Sequence, residues 1–394
     1  MNNTRKRSAI VAGLLAASLI AAACSSSKTV APTTTAAATT TAASSTSATA
    51  TTAPAAATTP AAADTTVAPS AGSSAPTTAP AKVSGTLQGS GSTFQLAYEQ
   101  AAIDAFQKAN AGTTITYGGG GSGKGRTDLK TKIVDFAGSD SPYADADKPA
   151  DAILYFPIQL GAITVSYNLS GVDKLQLSPD TIAGIFDRTI KTWNDPAIAA
   201  DNPGVTLPAT AITVAHRSDG SGTTQNFTEW LVATAKSWTL KSGSTVEWPS
   251  DTQGGTGNQG VAQIVGQTDG AVGYIDLSDA KAANLKFADV KNSAGTFITP
   301  NADSVTVAGD GIKVADNLIF KAYNSSAPTA YPITAQSWVI VYAKQSDANK
   351  AALVKAWISY LLNDGQKLLA DLDYAPLPKS IQDKAIAQLD QITS

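Results

Sequence analysis

The chain has 394 residues, a formal net charge of −3, one cysteine and one histidine. A slight acidic excess argues against nucleic acid as a partner, because proteins that bind it carry a strong basic surplus. A lone Cys24 excludes an internal disulfide, and with His216 as the sole imidazole no Cys/His zinc site, other metal site or cofactor is expected.

Residues 1–24 have the order of a secretory leader. Arg5, Lys6 and Arg7 are followed by an apolar run from Ser8 to Ile20, then by Ala21, Ala22 and Ala23 ahead of Cys24. The run is shorter than the ~20 apolar residues of a comfortable membrane span. Small residues directly before a single cysteine resemble a bacterial lipobox, so lipidation of Cys24 and a cell-membrane location on the extracytoplasmic face are expected. The usual leucine three residues before the cysteine is missing. Residues 25–84 are dominated by Ala, Thr, Ser and Pro. A stretch without large apolar side chains cannot offset its ordering entropy, so a disordered tether is expected. Roughly 310 residues remain, room for two domains at ~100–200 each.

From Gly85 onward strand and helix patterns alternate, which indicates an α/β architecture. Four places repeat one device, a glycine- or serine-rich turn leading into an amphipathic helix. Gly89 to Phe94 precedes a helix with Leu96, Ile103 and Phe106 on its buried side. Gly118 to Gly125 follows a strand over Thr113–Tyr117 and opens a helix with Leu129 and Ile133. Ser218 to Thr223 follows a strand over Ala211–Ala215, and Phe227, Trp230 and Leu231 then recur at i, i+3, i+4. Gly254 to Asn258 precedes Val261, Ile264 and Val265. Glycines let the backbone approach a ligand closely, and each helix start presents unpaired N–H groups beside Ser or Thr hydroxyls. One such turn is a cap; several that converge make an oxyanion cradle.

Two glycine patterns mislead. Gly118, Gly123 and Lys124 fit a nucleotide P-loop, but Gly125 stands where the magnesium-binding hydroxyl belongs. The dinucleotide spacing occurs at Gly118, Gly120, Gly123 and again at Gly255, Gly257, Gly260, in stretches so rich in glycine that it carries little weight. The chain has no G-x-S-x-G nucleophile elbow.

Taken in order, Gly89 to Phe94, Gly121 to Gly123 with Asp135 to Asp140, His216 to Thr223, Gly257 to Ala262 and Gly270 to Ile275 resemble the PstS family, phosphate-binding proteins of the phosphate-specific ABC transporter. The resemblance implies a two-lobe periplasmic-binding-protein-like fold (type II) with a hinge of two crossing strands. Lobe 1 would combine 85–158 with 335–394, lobe 2 would be 165–330, and 159–164 and 331–334 would form the hinge. It implies a non-enzymatic monomer whose partners are inorganic phosphate and membrane permease subunits. By the same resemblance Thr93, Phe94, Ser122, Asp140, Arg217, Ser221, Gly222 and Thr223 would bind phosphate. Asp219 would orient Arg217 or cap the Gly220 turn. Gln95 departs from the family, which commonly has proline there. A phosphatase-like enzyme, or a receptor for another oxyanion, is the alternative on the same fold.

Arg217 is the one full positive charge expected against the anion, and its planar fork suits a tetrahedral oxyanion. Asp140 facing an anion makes sense if the ligand carries a proton. Hydrogen phosphate donates to a carboxylate; fully ionised sulfate leaves it unpaired and repelled.

Overall fold

The computed structural model describes residues 83–394. The leader, the Cys24 lipidation site and nearly all of the tether lie outside these residues. The first part of the chain runs β1 (Gly85–Gly91), α1 (Leu96–Ala109), β2 (Thr113–Gly118), α2 (Ser122–Lys130), β3 (Phe136–Ser139) and β4 (Ile153–Asn168). The middle follows as β5 (Gln176–Leu177), α3 (Pro179–Phe186), α4 (Pro196–Asp201), β6 (Thr213–Arg217), α5 (Gly222–Thr234), β7 (Gln253–Gly255), α6 (Gly257–Gln267), β8 (Ala271–Asp276) and α7 (Leu277–Ala282). It ends with β9 (Lys286–Phe287), β10 (Asp289–Lys291), β11 (Phe297–Ile298) and α8 (Ala302–Gly309). The C-terminal part is β12 (Thr334–Tyr342), α9 (Ala348–Leu362) and α10 (Lys379–Gln388).

The main sheet has the order β2-β1-β3-β12-β4-β8-β6-β7, with β9 also pairing with β4. β1 is parallel to β2 and β3, and β6 is parallel to β7 and β8. Between these two parallel groups, β12 and β4 run antiparallel to each other and to their outer neighbours. β4 joins the groups. It pairs with β12 from Ile153 to Ala162 and with β8 from Ile163 to Asn168. Every residue from Leu154 to Tyr167 is buried, as expected of a near-continuous apolar strand covered on both faces.

Pro157 lies inside this strand opposite Trp338, and the β4–β12 register slips between Ser337 and Trp338. Proline has no N–H to give the ladder, and the next residue, Ile158, is left without a partner on β12, a bulge in β4 itself. One core then runs through both groups, with Phe94, Phe136, Phe156, Trp338 and Trp357 buried on one side and Phe186, Phe227 and Tyr274 on the other.

The helices follow their apolar spacing closely. Ile103 and Phe106 of α1, Phe227, Trp230 and Leu231 of α5, and Val261 and Val265 of α6 are buried; Leu96 and Ile264 are half-buried. Ile133 is a correction. α2 stops at Lys130, Lys132 takes a φ of +59°, and Ile133 is turned off the helix face to 64% exposure.

Candidate anion-binding site

The starts of α1, α2, α5 and α6 meet where the two parallel groups face each other. Gly222, the first residue of α5, sits so close to the other side that a Cβ there would lie 2.5 Å from Ser122 Oγ and 2.7 Å from Asp140 Cβ. Gly121, held at φ +90° before α2, leaves room for Asp219 Oδ2, which a Cβ would approach to 2.1 Å. The backbones themselves join, Gly123 N–H donating to Gly220 O at 2.8 Å. Asn258 N–H, at the start of α6, donates to Thr93 Oγ1 at 3.1 Å.

Asp140 follows β3 and is fully enclosed. Its Oδ2 accepts from Ser92 Oγ at 2.6 Å and Ser122 Oγ at 3.3 Å, and its Oδ1 accepts from Ser337 Oγ at 2.6 Å. Burial pushes the carboxyl above the usual range, while the hydroxyls of Ser337 and Ser92 and the charge of Arg217 oppose the rise. Ser122 Oγ also accepts the Asp140 N–H at 3.1 Å, so one serine fixes both backbone and side chain.

Arg217 ends β6, where Tyr274 Oη accepts its backbone N–H at 2.9 Å. Its guanidinium meets Asp219 through Nε to Oδ1 at 2.8 Å and Nη2 to Oδ2 at 2.5 Å, a two-point pair. Nη1 turns inward to Asn258 Oδ1 at 3.2 Å and Thr223 Oγ1 at 3.4 Å. Asp219 therefore orients Arg217, and it also accepts Gly257 N–H at 3.0 Å. Burial works against its ionisation, but the hydrogen bonds and charge of Arg217 outweigh that and hold it below the ordinary value.

Ser221 is the N-cap of α5, its Oγ accepting Thr224 N–H at 3.0 Å, which leaves its hydroxyl proton for another acceptor. Phe94 contributes backbone only. Its ring is buried 6.1 Å from that of Tyr374, its N–H reaches Ser92 Oγ at 3.0 Å, and its carbonyl accepts Tyr374 Oη–H at 2.7 Å. His216 is structural in its contacts: the ring stacks on Trp248 at 5.0 Å, and Nδ1 lies 2.9 Å from Arg217 O.

The structure thus gathers Thr93, Ser122, Asp140, Arg217, Asp219, Ser221, Gly222 and Thr223 around one point, with Phe94 behind them. Sequence reasoning missed Ser92, Asn258 and Ser337. Ser92 and Asn258 lie inside turns already singled out, so their signal was present. Ser337 carries none, because it lies on β12, 197 residues from Asp140 in sequence. Gln95, in place of the family's proline, does not cap α1; its amide is buried, with Nε2 3.2 Å from Tyr117 Oη. Among the described residues there is no group of three or more His, Cys, Asp or Glu side chains arranged for a metal ion, and no helix is long and apolar enough to cross a membrane.

A model of the PBP superfamily domain matches residues 76–365. The chain is 34% identical over 281 residues to "Phosphate-binding protein PstS" of Xylella fastidiosa (strain 9a5c), covering 69% of this chain and 76% of that protein. It is 36% identical over 315 residues to "Phosphate-binding protein PstS 3" of Mycobacterium leprae (strain TN), covering 76% and 85%. Among solved structures, the periplasmic phosphate-binding protein PfluDING with bound phosphate superposes with a TM-score of 0.66 at 22% identity, covering 77% of this chain and 94% of that one. The phosphate-binding protein of Stenotrophomonas maltophilia gives a TM-score of 0.62 at 19% identity, covering 77% and 94%. Likeness at that identity establishes the fold, an α/β two-lobe binding-protein fold of type II.

Proposed function

The chain belongs to the PBP superfamily and, within it, to the PstS family of phosphate-binding proteins; from that premise we propose that it captures inorganic phosphate between its lobes and delivers it to the permease of an ABC transporter. The observation that carries this reading is the Asp140 carboxylate enclosed where four helix starts converge. Helix starts and one guanidinium favour an anion. A carboxylate among them favours an anion that still carries a proton.

In this reading Arg217 holds two oxygens, while the hydroxyls of Thr93, Ser122, Ser221 and Thr223 and the N–H groups of Phe94, Gly222 and Thr223 surround the rest. Several of these donors are engaged with each other and exchange partners when the anion enters: Ser122 leaves Asp140, and Ser92 releases the Phe94 N–H. Charge-assisted bonds contribute roughly 1.5–3 kcal/mol each, so a few suffice for the ~8 kcal/mol of micromolar binding. We assign 85–158 with 335–394 to one lobe, 165–330 to the other, and 159–164 with 331–334 to the hinge. In this reading the protein works outside the cytoplasm as a monomer, held to the membrane through lipidated Cys24.

Calorimetric titration of the phosphate-stripped protein with phosphate and then sulfate tests the reading. One-to-one phosphate binding without sulfate heat is expected. Absence of phosphate binding by folded, stripped protein overturns it. Asp140→Asn replaces an acceptor by an amide that can donate, so sulfate is expected to bind the variant measurably and phosphate to bind about tenfold or more weakly. A variant that still rejects sulfate as the parent does would remove Asp140 as the filter.

A further inference from the structure

Arg126 lies on α2 one turn after Ser122, with its guanidinium directed beneath the Asp140 segment. Its Nη1 donates to Ser139 Oγ at 3.0 Å, Ser141 O at 3.1 Å and Ser141 Oγ at 2.6 Å. The two serines flank Asp140, and Ser139 Oγ donates in turn to Ser141 O at 2.5 Å. The Tyr143 ring lies 6.0 Å from the guanidinium carbon, and Tyr143 Oη–H bonds the Arg126 carbonyl at 2.5 Å.

No carboxylate stands within ion-pair distance of Arg126 among the described residues. A largely enclosed cation without a paired anion is costly unless the surrounding field compensates it. The charged groups around Asp140 supply the contrast. Arg217 is paired to Asp219, and Lys321 is paired to Glu229 at 2.8 Å across a 50 Å³ cavity that Asp140 also lines. Tyr117, on β2, is kept neutral by burial. Arg217 acts on the Asp140 carboxylate but is itself paired, whereas Arg126, the second cation that interacts with Asp140, has no ion-pair partner among the described residues.

We infer that Arg126 is a positioning residue for anion selectivity: its grip on Ser139 and Ser141 fixes the direction of the Asp140 carboxylate, and its charge keeps that carboxylate ionised as an acceptor. The inference rests on the phosphate reading above. Its sign follows from electrostatics. Removing the cation makes protonation of Asp140 easier, and a protonated Asp140 donates to an anion and no longer rejects sulfate.

The test is calorimetry of the parent, Arg126→Gln and Arg126→Lys with phosphate and with sulfate from pH 5 to 9. Arg126→Gln is expected to bind phosphate about tenfold more weakly and to admit sulfate up to a pH about one unit higher than the parent does. Arg126→Lys keeps the charge without the fork, so it is expected to restore the parent's sulfate threshold while leaving phosphate binding weakened. A general loss of packing would weaken both anions alike and leave the threshold in place. If the parent binds phosphate and Arg126→Gln matches it for both anions at every pH, the inference falls and the phosphate reading stands. If the parent binds no phosphate, it is the phosphate reading that falls. If Arg126→Gln lacks a cooperative melt, Arg126→Lys decides: phosphate affinity equal to the parent's overturns the inference.

Discussion

At the scale of single residues, the interior holds a second acid that ligand binding does not explain. Glu99, in the first turn of α1, is completely buried, and neither carboxyl oxygen has a hydrogen-bond partner. Burial pushes it from an ordinary 4.5 up to about 8. Below pH 4.5 the folded and unfolded chains both hold this proton. Between the two values the unfolded chain releases it while the folded chain keeps it, so stability falls as pH rises through that window and levels off above about 8. At about 1.4 kcal/mol per pH unit the loss is several kcal/mol. Glu99→Gln removes the titration at nearly constant shape. Its unfolding free energy, measured in urea from pH 4.5 to 8.5, is expected to gain on the parent's as pH rises; a constant difference between the two would contradict the assignment. Residues of this kind were illegible in the sequence. Thr93, Ser122, Asp140 and the run from Arg217 to Thr223 were singled out through the resemblance to a known family, which rests on contiguous turns, and the structure brings them together. Glu99, Ser337 and Arg126 take their meaning from chain segments distant in sequence that pack against them.

At the scale of elements, the legible feature was the repeated turn before a helix, since glycine and serine at a helix start record a local geometric need. That repetition marked the starts of α1, α2, α5 and α6, which the structure brings together. The end of α2 could not be read, because the positive φ of Lys132 that turns Ile133 outward has no glycine to announce it. The closeness of the α5 start to the opposite lobe gives a sharp expectation. Alanine is easily accommodated at the first helical position, so Gly222→Ala should leave the open form and its stability nearly intact. In the closed form its Cβ would meet Ser122 Oγ at 2.5 Å and Asp140 Cβ at 2.7 Å, contacts that packed atoms do not tolerate. Phosphate affinity is expected to drop by about a hundredfold or more, equivalent to roughly 3 kcal/mol, with a melting temperature close to the parent's in the absence of ligand. Unchanged affinity would mean that the lobes bind phosphate without approaching as closely as they do here.

At the scale of the whole molecule, the two lobes share one sheet through β4 and β12, and individual polar contacts join them across the site. Besides the Gly123–Gly220 and Asn258–Thr93 bonds, Asn226 Nδ2 donates to Asp140 O at 2.7 Å and Lys281 pairs with Asp373 at 2.5 Å. Tyr374 adds a strut. Its hydroxyl donates to Phe94 O at 2.7 Å and lies 3.3 Å from Asp276 Oδ1, the N-cap of α7 in the other lobe. Burial pushes Asp276 well above the carboxylate range, while the hydrogen bonds it accepts from the Asp279 N–H and Tyr374 oppose the rise. The strut then ties the first binding turn to both lobes. Individual hydrogen bonds contribute only about 0.5–1.5 kcal/mol net, so without ligand the open arrangement is expected to compete with the closed one, and the anion, bonded from both sides, tips the balance. X-ray scattering during a phosphate titration is expected to show the radius of gyration falling as the site fills. Tyr374→Phe removes one bond that exists only when the lobes meet. Its compaction should therefore require about three- to tenfold more phosphate while reaching the same final radius, because the bond's contribution is lost from the closed state alone. A titration midpoint identical to the parent's would show that Tyr374 holds Phe94 in both states and takes no part in closure.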